Sequence, residues 1–196
     1  MSEGKTIGVV FIDRWADWEF GLLTGSVPEW FGGRTVSISP DGKPVGSQGG
    51  LMLTPDRSAD PAENADLDAV AVIGSDSWAG PNPPDVTPLL KAVAARGGVT
   101  GGICAGTLAL ARAGLFADVR HTSNPREWLD RVLPDYPGRA NYEQLPHALA
   151  DGKVVSAPGS APGTFTIEML RAVFPEKAEM MPQLRAMFSA EYAEPS

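Results

Sequence analysis

The stretch Val99 to Ala111, V-T-G-G-I-C-A-G-T-L-A-L-A, holds the chain's only cysteine at its centre, and it permits few folds. An apolar strand runs into Gly102-Ile103-Cys104-Ala105-Gly106, and an apolar helix leaves it. That is the strand–turn–helix context of a nucleophile elbow, with a thiol where G-x-S-x-G hydrolases carry a hydroxyl. So sharp a turn strains the nucleophile's backbone and demands small neighbours, which Gly102, Ala105 and Gly106 supply. The helix start then aims free N–H groups and the positive end of its dipole at the sulfur. Both effects favour thiolate, so the expectation is a pKa lowered from about 8.5 towards roughly 3.5–7.5. A lone cysteine can also be one more small buried apolar residue. Glycines on both sides of a strand–helix junction favour the nucleophile.

Around this elbow the chain alternates strands with helices. Thr6–Ile12 is a continuous apolar run, as in parallel strands buried on both faces. A helix is expected over Asp17–Phe31, kinked near Pro28, then a strand over Thr35–Ile38. Pro40–Thr54, punctuated by Asp41-Gly42 and Gly49-Gly50, reads as a small hairpin excursion. Ala69–Ile73 is the next buried strand, ending at Gly74-Ser75. The proline-rich loop Pro81–Pro84 leads to a helix over Asp85–Arg96. After the elbow come a short segment containing Val119 and a helix over Pro125–Val132. Asn141–Ala157 suggests two strands turning at Asp151-Gly152, and helices over Pro162–Phe174 and Glu176–Ser189 close the chain. Repeated β-α units with short loops predict a mostly parallel sheet with helices on both faces, a three-layer α/β sandwich. No repeat, linker or low-complexity tract divides residues 1–196, so one domain is expected.

Composition narrows the function classes. At 196 residues and 43% hydrophobic content the chain can bury one substantial core. One cysteine excludes an intramolecular disulfide framework and fits a reducing compartment. Met1-Ser2-Glu3-Gly4-Lys5 enters the first strand without a signal-peptide pattern, so a cytoplasmic location is expected. The uncharged run Gly97–Ala111 is too short and glycine-rich to span a bilayer. Net charge is −8, with Lys and Arg scattered, which argues against nucleic acid or an anionic membrane as the main partner.

In such sheets ligands bind beyond the carboxyl ends of the strands. After strand one come Asp13-Arg14-Trp15-Ala16-Asp17-Trp18-Glu19, and after Ala69–Ile73 come Gly74-Ser75-Asp76-Ser77-Trp78. The elbow gives Cys104, and the segment after its helix gives Arg120-His121-Thr122-Ser123-Asn124. Four sequence-distant loops thus bring a thiol, an imidazole, carboxylates and tryptophans to one rim. Trp18 and Trp78 are candidates for walling an apolar substrate pocket, with core packing as the alternative. Trp30 and Trp128 read as helix-face core. Asn124-Pro125 reads as the cap of the next helix. His147 carries no chemistry in this reading.

With these residues in place, the chain resembles the ThiJ/PfpI superfamily, within the class I glutamine amidotransferase-like fold. G-G-I-C-A-G-T-L-A-L-A-R-A-G-L-F-A-D-V-R-H-T-S-N carries most of the resemblance. Asp17-Trp18-Glu19, the strand ending at Gly74-Ser75, and D-G-K-V-V-S-A-P-G-S-A-P from Asp151 to Pro162 follow in the family's order. The resemblance implies a flavodoxin-like sandwich, a homodimer, and cysteine chemistry without metal or organic cofactor. By position it implies Cys104 as nucleophile, Glu19 as the carboxyl bonded to its sulfur, and His121 as the nearby imidazole. Gly74, Ser75 and Ala105 would supply backbone N–H groups around an oxyanion. Two departures stand out. Ile73-Gly74-Ser75 replaces the family's frequent Pro-Gly-Gly, and the late histidine, His147, is followed by Ala148-Leu149 rather than x-Glu. The second argues against glutamine hydrolysis by a triad.

The chemistry implied is that of a cofactor-independent cysteine enzyme acting on a small-molecule electrophile, hydrolase or lyase in type, with amidase, glyoxalase or deglycase reactions as the finer possibilities. Glu19, beside a thiolate, is expected to be protonated and to return its proton during turnover, while His121 shuttles protons to the substrate. A peroxide-responsive sensor that stops at sulfenic or sulfinic acid is a second class. A non-catalytic ligand-binding domain is a third.

Overall fold

The computed structural model describes residues 4–192. Met1-Ser2-Glu3 and residues 193–196, the two ends of the expected single domain, lie outside the described residues. In chain order the main elements are β1 (Thr6–Val10), α1 (Gly21–Ser26), β2 (Arg34–Ser39), β3 (Val45–Gly46), β4 (Met52–Leu53), β5 (Arg57–Ser58), β6 (Ala69–Val72), α2 (Thr87–Ala95), β7 (Val99–Ile103), α3 (Thr107–Arg112), α4 (Arg126–Val132), β8 (Leu149–Asp151), β9 (Val154–Ala157), α5 (Pro162–Val173) and α6 (Met181–Ser189). Seven strands form one sheet in the order β5-β2-β1-β6-β7-β9-β8, and β3 pairs with β4 as a separate ribbon. All pairs in the large sheet are parallel except β8 with β9. The expected mostly parallel sandwich is what forms.

The buried run of each central strand explains its place. Every residue of β1, β6 and β7 is buried, because helices cover both faces of a parallel sheet. One face carries Ile7, Val9, Ala71, Ile103 and Val155 against Leu23, Phe165, Met169 and Leu170. The other carries Val10, Val70 and Val72 against Leu89, Leu90, Val93, Leu108 and Phe116. Each fully buried aliphatic or aromatic side chain contributes about 1.5–3 kcal/mol, so these two layers dominate stability. Cys104 packs against both layers, at the top of the sheet.

Three local expectations need correction, and one strand, β5, has no counterpart among them. The first helix starts at Gly21 rather than Asp17, and it continues as a π-helical turn over Val27–Phe31, with Pro28 in that turn's opening positions. Residues 17–20 stay outside it because their carboxylates are used elsewhere: Asp17 accepts from the Gly49 N–H (2.9 Å) and Glu19 from the Gly74 N–H (2.7 Å). The edge strand β5 has no clear apolar pattern, and the Arg57–Asp66 pair, with contacts of 2.6 and 3.1 Å, fixes its arginine. The last helical stretch is a 3-10 segment, Pro175–Met180, followed by α6. Trp30 is 39% exposed rather than core. The hairpin excursion does form as β3–β4, and β8 turns into β9 through Gly152 at φ 58°.

Candidate active site

Strand order reverses beside β1: β2 lies on one side of it, and the chain then crosses to β6 on the other. Ligand sites in such sheets form at that crevice. Here the loop after β1 brings Glu19 against Gly74 at the end of β6, and β7 delivers Cys104 next to both. A Cβ built on Gly74 would lie 2.6 Å from Glu19 Oε2 and 2.7 Å from Cys104 Cβ. Only a glycine fits between them.

The elbow is strained as expected. Cys104 has φ 56°, one of two non-glycine residues with positive φ among the described residues, a conformation a Cβ-bearing residue rarely adopts. It opens a 3-10 turn, Cys104–Gly106, that passes directly into α3. Gly106 permits the approach to β6, since a Cβ there would sit 2.3 Å from the Val72 carbonyl oxygen. The Thr107 hydroxyl closes the turn onto the Cys104 carbonyl at 2.6 Å.

Three groups address the sulfur. Glu19, fully buried, sets its carboxyl beside the thiol, and each shifts the titration of the other. Its Oε2 is held by Gly74, while Oε1 is buried and has no hydrogen-bond partner. The Ala105 backbone N–H also favours the thiolate. The third is Asn124, whose Nδ2 lies 3.3 Å from Sγ. Its Oδ1 accepts from the Gly159 N–H at 3.1 Å. Gly159 itself presses on the cysteine, as a Cβ there would sit 2.7 Å from Sγ.

Electrostatics depart from the expected lowered thiol. Burial raises the Glu19 carboxyl from its ordinary 4.5 to about 7, against the lowering effect of the Gly74 N–H. Burial and the charge of Glu19 push the thiol up to about 12, although Asn124 and Ala105 pull the other way. Loss of water and a carboxylate neighbour therefore outweigh the short helix start. At neutral pH the pair rests as a thiol beside a carboxyl near its own midpoint.

Other expected site residues lie apart from the sulfur. His121 is fully buried: Nε2 pairs with the Tyr136 hydroxyl at 2.8 Å, Nδ1 with the Val119 carbonyl at 3.2 Å, and the ring stacks on Phe116 at 4.0 Å. Burial holds the imidazole below its usual range. Neither ring nitrogen bonds Cys104. The residue three positions later, Asn124, reaches the sulfur instead, and α4 has no side-chain cap bond for it to make. The H-T-S-N segment marks the loop that reaches the thiol, but nothing in its order says which of its polar residues faces the sulfur.

Gly74 was expected to offer its N–H to an oxyanion, and that N–H is committed to Glu19. Ser75 is buried and caps a 3-10 turn, its hydroxyl donating to the Asp13 carbonyl (2.6 Å) and accepting from the Ser77 N–H (3.1 Å). Trp78 is wholly enclosed in the core, its Nε1 bonded to the Ile73 carbonyl at 2.9 Å, so it walls no pocket. Trp18 is 55% exposed and donates to the Gly159 carbonyl at 3.0 Å, which puts an apolar ring beside the site. A cavity of about 320 Å³ lies alongside, lined by Ser123, Pro125, Leu145 and Ser160 among others. Among the described residues no group of three or more His, Cys, Asp or Glu side chains is placed to hold a metal ion, and no helix is long and apolar enough to cross a membrane.

Residues 5–172 match the model of the DJ-1/PfpI family. The chain is 32% identical over 170 residues to the Bacillus subtilis (strain 168) protein named Uncharacterized protease YoaZ, covering 80% of this chain and 77% of that one. The solved structure of the DJ-1 superfamily protein Atu0886 from Agrobacterium tumefaciens superposes with a TM-score of 0.86 at 36% identity, over 96% of this chain and 100% of that one. Drosophila melanogaster DJ-1beta shares the fold, with a TM-score of 0.73 at 21% identity over 94% of this chain and 97% of that one.

Proposed function

The chain belongs to the DJ-1/PfpI family, and from that premise we propose that it is a cysteine-dependent enzyme of hydrolase or lyase type acting on a small electrophile. The observation that carries the reading is Cys104 on a strained positive-φ turn beside the buried Glu19 carboxyl, one oxygen of which has no hydrogen-bond partner. The name of the Bacillus subtilis relative, a protease, supports the hydrolytic side of this reading. Cys104 is the nucleophile. Ionised Glu19 takes the thiol proton as sulfur attacks, and the same carboxyl returns it to the leaving group. A carboxyl near 7 suits that double role at neutral pH.

Because His121 has both nitrogens occupied, we assign proton transfer to Glu19 and give the imidazole a structural part. The finer reactions in view are amidase, glyoxalase and deglycase chemistry. The same reading has residues 1–196 work as one domain of a cytoplasmic homodimer, with Trp18 near the substrate and no cofactor. The test is a turnover screen against amides, dicarbonyls and isonitriles, with Cys104→Ser and Glu19→Gln run in parallel. Turnover that falls about 10³-fold or more in Cys104→Ser is expected. Turnover that survives this substitution overturns the proposal.

A further inference from the structure

We propose that the side-chain amide of Asn124 is the donor that holds the oxyanion formed when Cys104 attacks a carbonyl substrate. This rests on the reading of Cys104 as a nucleophile. An oxygen on a carbon newly bonded to sulfur enters the space that Asn124 Nδ2 faces at 3.3 Å from Sγ. One of the two donors expected from the end of β6 is gone, since the Gly74 N–H is bound to Glu19 Oε2. The Ala105 N–H, which favours the thiolate, serves as the second donor.

The amide is held in the required sense. The Gly159 N–H can only donate, so the atom it meets must be Oδ1, and Nδ2 is left facing the thiol. The backbone that carries it is fixed as well. The Tyr142 hydroxyl donates to the Asn124 carbonyl at 2.9 Å, the Ser123 and Thr107 hydroxyls pair at 2.6 Å, and the Thr122 N–H donates to Ser156 Oγ at 2.9 Å. A donor locked before the reaction stabilises developing charge without reorganising. An amide N–H neither gains nor loses a proton near neutral pH, so the site divides its work. Glu19 moves the proton and Asn124 holds the charge.

In the step itself the S–H bond breaks and its proton passes to Glu19 Oε1. The sulfur pair forms the S–C bond, and the carbonyl π pair moves onto oxygen, facing Asn124 Nδ2. Collapse of that oxyanion expels the leaving group, which takes the proton from Glu19 when it is basic enough.

Two thiol probes test this without knowledge of the natural substrate. p-Nitrophenyl acetate acylates through an oxyanion and releases p-nitrophenolate, whereas iodoacetamide alkylates by displacement and forms none. Asn124→Ala should slow the acylation burst by about 10²–10³-fold, the usual cost of one oxyanion donor, and slow alkylation by less than about tenfold. Retained alkylation shows that the variant site is folded. Asn124→Asp keeps the shape and replaces the donor with an acceptor, and it should lose acylation at least as severely. Acylation of wild type and Asn124→Ala at equal rates, or an equal fall in both probes, overturns the donor role alone. A wild-type protein that iodoacetamide labels but the ester does not acylate overturns the nucleophile reading, and the donor role with it.

Discussion

Substituting Gly159 by alanine should silence Cys104 while leaving most of the fold in place. The added Cβ would stand 2.7 Å from Sγ, 2.9 Å from the Cys104 Cβ and 3.2 Å from Glu19 Oε1. Heavy atoms in contact prefer about 3.5–4.0 Å, so the sulfur must shift by about 1 Å. It has little room to do so, because Gly74 crowds the same residue: a Cβ there would be 2.7 Å from the Cys104 Cβ. Gly159 does not occupy the left-handed region, so the cost is steric overlap rather than backbone strain. Overpacking of this kind costs about 1–3 kcal/mol, a melting shift of roughly 2–12 °C for a chain of this size. A misplacement of about 1 Å lowers a reaction rate on the order of 10²-fold. The assay pairs second-order alkylation by iodoacetamide with a thermal melt. A Gly159→Ala protein that is alkylated at the wild-type rate and melts with the wild type would refute the close packing around the sulfur.

Glu19→Gln should change the pH dependence of stability. The folded carboxyl titrates at about 7 against an ordinary 4.5, so between those values the folded state binds more protons than the unfolded one, and wild-type stability falls as pH rises through the window. The variant should flatten that decline and be the more stable protein at pH 8, by on the order of 3 kcal/mol; denaturant melts at pH 5 and pH 8 measure it, and identical pH profiles count against a buried, raised Glu19. His121→Ala should lower stability by about 2–5 kcal/mol by removing a buried ring, yet leave thiol alkylation within about threefold of wild type, as follows when a residue does not contact the sulfur. A large loss of alkylation in a variant that still melts cooperatively would return the imidazole to the site.

Much of this molecule is local and therefore legible in one dimension. β1, β6 and β7 announce themselves as unbroken apolar runs because both faces of each strand are covered. The elbow is likewise written in neighbouring residues: small side chains on both sides of Cys104 are the condition for its φ of 56°. The edge strand β5, two residues long, carries no such pattern. The start of α1 was displaced because long-range bonds to Gly49 and Gly74 claim Asp17 and Glu19.

What surrounds the sulfur was decided by the tertiary structure. His121 and Asn124 share one loop, and a loop has no period to say which side chain points inward. Contacts with Tyr136 and Phe116 draw the imidazole away, and a backbone N–H from Gly159, 35 residues on, aims the amide at the thiol. Trp78 and Trp18 both follow strand ends, yet one is sealed in the core and the other stands 55% exposed. The proton balance also belongs to three dimensions. A helix start and a cysteine suggest a lowered thiol, but desolvation and a carboxylate brought in from 85 positions away raise it instead. Sequence by itself determined that a thiol would sit on a strained turn atop a parallel sheet, since that follows from local sterics and periodicity. Glu19 and Asn124, which act on its charge, come from distant loops, and only packing brings them there.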